Sequence, residues 1–178
     1  LSRDIQQYIY DKGWPSLKNI QSAAIKQVAN TDHNLILSAP TASGKTEAAF
    51  IPALNSVEDW ETGLKVLYVS PLKALINDQF QRISELSEYL DIPITRWHGE
   101  VSQAQKRKVV NQPKGVLLIT PESIEGMLVN RPGEAEHLFK GVEWIIIDEL
   151  HSFLGTERGI HLQSLLQRIS RFMQAPRF

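Results

Sequence analysis

Asn34-Leu35-Ile36-Leu37-Ser38-Ala39-Pro40-Thr41-Ala42-Ser43-Gly44-Lys45-Thr46-Glu47-Ala48-Ala49-Phe50 is the stretch whose reading decides the fold. It opens with a short apolar run, passes through small residues and a proline, and ends in helix-forming residues. The pattern predicts a buried strand that stops abruptly and turns into a helix. Such a turn leaves backbone N–H groups unpaired at the helix N-terminus, where an anion is stabilised. Gly44 lets the backbone come close to a phosphate, the Lys45 ammonium reaches the outer phosphates, and the Thr46 hydroxyl can ligate Mg2+.

Residues 39–46 therefore read as a P-loop, with Ala39 where the general pattern has its first glycine. The expected cradle for a nucleoside triphosphate is Ala39, Pro40, Thr41, Ala42, Ser43, Gly44, Lys45 and Thr46.

Working outward, 178 residues suit one domain with a sizeable core. A composition 42% hydrophobic and 22% charged is that of a globular protein and not of a disordered one. No apolar run approaches the roughly 18 residues needed to cross a bilayer, and no signal peptide is read at the start, so no membrane partner is expected. The chain has no cysteine, which removes disulfides and thiolate metal sites and fits an intracellular, cytoplasmic location. The formal net charge is -1. A domain that grips nucleic acid by charge alone is basic, so any such grip here would rest on local groups, helix N-termini or a partner domain.

Helical spacing predicts helices over residues 2–12 and, after a turn-like entry at 14–17, from Ile20 to about Asn30, then from the P-loop to about 57, and over 72–90 and 101–110. Further helices are expected from Pro121 and over 160–173. Apolar runs predict strands at 34–37, 64–70, 92–98, 115–120 and 144–147. Strand and helix alternate, and the strands are continuous apolar runs. That combination predicts a parallel sheet buried on both faces in one α/β domain.

In open parallel sheets ligands bind at the C-terminal edge. The 144–147 run ends there in Asp148-Glu149-Leu150-His151. Asp148 can hold Mg2+, usually through water, and Glu149 can deprotonate a water attacking the γ-phosphate. His151 is read either as a coupling residue toward a neighbouring domain or as a hydrogen-bonded turn histidine. Ser70-Pro71-Leu72-Lys73 and Thr120-Pro121-Glu122-Ser123 repeat a hydroxyl and a proline at a strand-to-helix junction. There the hydroxyl caps, Pro takes the first helical position, and free N–H groups can meet phosphates. Gln21 is read either as a surface glutamine or as an amide matched to the N6/N7 edge of adenine. Lys106-Arg107-Lys108 reads as a solvated helix face. The five histidines show no metal-ligand spacing.

Residues 39–46, 70–74, 120–123 and 148–151 together resemble motifs I, Ia, Ib and II of superfamily-two helicases, the last being of the DExH type. Trp97-His98-Gly99-Glu100, and the run from Asp148 through Gly155 to Arg158-Gly159, look like the Lhr-like (large helicase-related) group. The resemblance implies a P-loop NTPase of RecA-like, three-layer architecture with a mainly parallel sheet. It implies that the chain is the first RecA-like, ATP-binding domain, residues 1–178, incomplete at its C-terminal end. The Ser-Ala-Thr motif and the second RecA-like domain would then lie elsewhere in the parent chain. By the match, Lys45 and Thr46 hold phosphate and metal, Asp148 holds metal, and Glu149 is the catalytic base. Gln21 reads adenine. Pro71, Leu72, Lys73, Thr120 and Pro121 touch the backbone of DNA or RNA that is single-stranded at least in part. Arginines of the second domain contribute about 10³–10⁵ in rate, so the isolated fragment is expected to turn ATP over hardly at all. The rival readings are a P-loop NTPase that ignores nucleic acid and a motor fold kept as a binding platform.

Overall fold

The computed structural model describes residues 1–40 and 43–178. Thr41 and Ala42, both expected in the phosphate cradle, lie outside the described residues. In chain order come α1 (Arg3–Asp11), α2 (Asn19–Asn30), α3 (Lys45–Ser56), β1 (Gly63–Val69), α4 (Lys73–Tyr89), β2 (Ile94–Trp97), α5 (Gln103–Asn111), β3 (Lys114–Ile119), α6 (Pro121–Asn130), α7 (Pro132–Phe139), β4 (Trp144–Ile147) and α8 (Glu157–Ile169). Among the described residues the strands form one parallel sheet in the order β2-β3-β1-β4.

Both faces of the sheet are covered, which is why its strands carry apolar residues without alternation. Leu67, Val69, Leu117, Ile119 and Ile145 pack with Val109, Ile124, Leu138 and Leu165 of α5, α6, α7 and α8. Val66, Tyr68, Val116, Leu118 and Trp144 pack on the other side with Ile5, Phe50, Ile76 and Leu86. The result is a three-layer α/β sandwich. A register shift in β1 between Leu64 and Val66 changes the alternation. Leu64 and Leu67 therefore share one layer, and Tyr68 is turned toward the layer that holds α3.

Two features differ from the sequence expectation. Residues 34–37 are not a strand, and Ile36 is 83% exposed. A strand needs a ladder, and among the described residues Leu35 makes a backbone bond only to Phe178, its N–H donating to the carbonyl at 2.8 Å. The edge strand β4 meets Arg177 through a single parallel bridge at Trp144. The second difference is α7, which no expectation covered. Pro132 occupies its first turn, and Ala135, Leu138 and Phe139 are fully buried against the sheet.

Candidate functional site

All strands point the same way, so Ser70, Thr120 and Asp148 leave the sheet at one edge. The helix α3 brings the P-loop to that edge. Near its C-terminus, Ser56 Oγ accepts from Trp144 Nε1 at the start of β4. Nearer its N-terminus, Phe50 stacks on Tyr68, the next-to-last residue of β1. The helix therefore runs back along the sheet, and Gly44, Lys45 and Thr46 stand at the rim where β4 ends in Asp148 and Glu149.

Gly44 is the N-cap of α3 with φ 85°, a left-handed conformation that only glycine adopts at little cost. A Cβ there would lie 2.6 Å from Gln21 Nε2 and 3.2 Å from Lys18 Cδ. The Lys45 ammonium donates to the Ala39 carbonyl at 2.7 Å, folded along the loop it would hold around a phosphate. Pro40 is exposed beside it. Ser43 Oγ is buried without a hydrogen-bond partner among the described residues. The Thr46 hydroxyl donates to Gln79 Oε1 of α4 at 2.9 Å, and Glu47 pairs with Arg82 of the same helix. Gln21 is not a surface residue: it is 3% exposed. Its Oε1 accepts from the Lys18 N–H in the capping box of α2, which lays the amide nitrogen against Gly44.

The two carboxylates have different surroundings. Asp148 is tied to β1 twice, by its N–H to the Val69 carbonyl at 2.9 Å and by Oδ2, which accepts from the Tyr68 hydroxyl. Glu149 is left-handed, with φ 49° and ψ 42°. That backbone is costly for a residue bearing a Cβ and is found disproportionately at functional sites. Glu149 Oε2 lies 3.3 Å from His151 Nε2, on an imidazole that is 79% exposed. One carboxylate is thus held by a buried phenol, and the other faces a solvated histidine.

The remaining strand ends are not equivalent. Thr120 caps α6 by accepting from the Ser123 N–H, and Pro121 takes the first turn, as expected. Ser70 does not cap α4. Its Oγ is buried without a partner, and Leu72 is the N-cap. Leu72 takes an extended conformation, so the helix starts at Lys73 and Pro71 stays outside it. Leu72 is exposed, and Lys73 pairs with Glu100, whose carboxyl is thereby held below its usual range. Arg158 of α8 joins these segments, donating to the Pro71 carbonyl at 2.9 Å and to Glu122 Oε1 at 2.7 Å. Its guanidinium also lies over the Phe153 ring, 5.6 Å from the centroid. The neighbouring Gly159 is required, because a Cβ there would sit 2.0 Å from the Phe153 carbonyl oxygen. Arg107 and Lys108 are exposed, and the partly exposed Lys106 has its ammonium 5.6 Å from the centre of the Trp97 ring.

The donors present suit a magnesium ion. Mg2+ takes oxygen ligands and keeps several waters, using one or two carboxylates together with substrate phosphates. Thr46 offers a hydroxyl and Asp148 a carboxylate. Gly44 leaves room where a Cβ would intrude, and the Ser43 hydroxyl is an unpaired polar group in the cradle. Sequence reasoning had not singled out Tyr68 or Gln79. For Tyr68 a signal existed, a hydroxyl inside the otherwise apolar run Val66-Leu67-Tyr68-Val69.

Residues 18–177 match the family described as DEAD/DEAH box helicase. The ATP-dependent helicase Lhr-Core of Methanocaldococcus jannaschii is 32% identical over 169 residues, 85% of this chain and 20% of that protein. The Lhr helicase/uracil glycosylase of Escherichia coli is 34% identical, over 82% of this chain and 11% of its own length. The chain thus spans a fifth or less of these two relatives. Among solved structures, Mycobacterium smegmatis helicase Lhr bound to ssDNA and AMP-PNP superposes on 99% of the chain at a TM-score of 0.85 and 29% identity. It covers 24% of that chain. The DUF1998 helicase MrfA bound to DNA and AMPPNP superposes on 100% of this chain and 25% of its own at a TM-score of 0.87 and 28% identity.

Proposed function

This chain belongs to the DEAD/DEAH box helicase family, and from that membership we propose that it is the ATP-binding motor domain of an Lhr-like nucleic-acid helicase or translocase. The observation that carries the reading is the shared rim: α3 delivers Lys45 and Thr46 to the edge where β4 delivers Asp148 and Glu149.

Each residue then has a task. The N–H groups around Gly44 and the Lys45 ammonium, released from the Ala39 carbonyl, bind the outer phosphates. Thr46 and Asp148 hold Mg2+, which when bound neutralises charge developing on the phosphate oxygens. Glu149 orients a water and takes its proton as the oxygen attacks the γ-phosphorus, while the bond from that phosphorus to the β,γ-bridging oxygen breaks and ADP leaves. Gln21, pinned by the α2 capping box beside Gly44, presents its amide to adenine. Pro71, Leu72, Lys73, Thr120 and Pro121 meet one nucleic-acid strand: the Leu72 and Lys73 backbone N–H groups and the Lys73 ammonium reach its phosphates, and the prolines, which have no N–H, pack against its backbone. A grip of this kind does not require a basic domain. His151, exposed next to Glu149, faces the second RecA-like domain, which would supply the missing arginines. The parallel sheet with helices on both faces supports residues 1–178 as a RecA-like, ATP-binding domain. No described helix is long and apolar enough to cross a membrane, which fits an intracellular place of work.

Binding of a fluorescent ATP analogue with Mg2+, compared between the chain and its Lys45→Ala variant, tests the reading. Saturable binding lost in the variant supports it. Equal binding by both would remove the P-loop from the mechanism.

A further inference from the structure

Tyr68 sits at the centre of the site without being one of its expected residues. Its ring is buried and stacks on Phe50 of α3, centroids 5.3 Å apart and planes 26° from parallel. Its hydroxyl donates to Asp148 Oδ2. Phe50 lies four residues beyond Thr46, one helical turn along the same side of α3. A single side chain therefore touches both the helix that carries one proposed metal ligand and the carboxylate that is the other.

Resting on the Mg-ATP reading above, we propose that Tyr68 is a positioning residue for the divalent-cation site. Its ring sets the spacing of α3 against the end of β4, and its hydroxyl fixes the rotamer of Asp148. With Oδ2 engaged, Oδ1 makes no hydrogen bond among the described residues and is left for a hydrated cation. Outer-shell donors of this kind orient metal-ligating carboxylates and typically account for about 10–100-fold in metal affinity. A buried tyrosine hydroxyl usually finds a partner. A purely structural role would therefore show in stability, and a positioning role in metal affinity.

Two variants separate these roles. Tyr68→Phe keeps the ring and removes the hydroxyl, while Phe50→Leu breaks the stack and keeps the hydroxyl. Mn2+ binding is followed by electron paramagnetic resonance in the presence of AMP-PNP. The affinity for AMP-PNP without metal and the thermal midpoint are measured alongside. The expected result for Tyr68→Phe is a loss of about tenfold in Mn2+ affinity, with metal-free nucleotide binding and thermal midpoint close to wild type. Phe50→Leu should lower the midpoint and move Mn2+ affinity less. Unchanged Mn2+ affinity in Tyr68→Phe overturns the proposal, as does a shift that merely tracks stability across both variants. A wild-type chain whose Mn2+ uptake is insensitive to AMP-PNP and to Asp148→Ala would instead overturn the Mg-ATP reading, and this proposal with it.

Discussion

Arg158 donates a guanidinium nitrogen to the carbonyl of Pro71, 87 residues earlier in the chain. The same nitrogen reaches Glu122, so the segment after Asp148-Glu149 is fastened to both helix starts proposed to meet nucleic acid. The bond to Pro71 is partly buried and charge-assisted, which places its removal at about 1–2 kcal/mol. The pair with Glu122 is exposed and adds little. Arg158→Ala should weaken single-stranded DNA or RNA binding while leaving Mg-ATP binding intact. Fluorescence anisotropy with a labelled oligonucleotide reads the first, and a fluorescent nucleotide the second. Equal loss of both would make Arg158 a general stabiliser.

Gly44→Ala should abolish nucleotide binding without unfolding the chain. The left-handed backbone costs a residue with a Cβ about 1–2 kcal/mol, and the new methyl would press on the Gln21 amide. Calorimetric titration with Mg-ATP checks binding, and circular dichroism checks the fold.

Gln21→Glu keeps an acceptor for the Lys18 N–H but removes the amide donor. The expected outcome is a folded protein that no longer prefers ATP over GTP. Competition of each nucleotide against a fluorescent ATP analogue measures it. Retained preference would confine Gln21 to capping α2 and packing against Gly44.

His98 predicts a pH effect. Burial, and then the Arg96 charge, hold its imidazole below the ordinary value of 6.5. Below that value the unfolded chain takes up a proton that the folded chain refuses, so stability falls as pH drops from about 6.5 toward the lower folded value. Above about 6.5 both states are neutral and the contribution vanishes. Urea unfolding of the wild type between about pH 7.5 and 5 should show that slope, and His98→Gln should reduce it.

Much of this molecule was legible before its structure. The 144–147 run became β4 at those bounds, and Pro121 did open α6. Such features are local, set by burial on both faces and by proline's fixed φ. Residues 34–37 misled because their apolar run needs a pairing partner that the described residues barely supply. Ser70 misled because a hydroxyl before proline signals a cap, whereas Leu72 adopts the extended conformation that starts α4. Tyr68 and Gln79 were hidden for a third reason. Their importance lies in side chains from distant segments, Asp148 and Thr46, and no spacing within the sequence encodes such a meeting.

The central claim is convergence: Lys45, Thr46, Asp148 and Glu149 act on one Mg-triphosphate. A crystal structure of the chain with AMP-PNP and Mg2+ tests it most directly. The predicted result places Lys45 Nζ on the outer phosphates, the cation between Thr46 and Asp148, and Glu149 beside the γ-phosphate. A nucleotide bound away from this rim, or a cation that ignores Asp148, would contradict it.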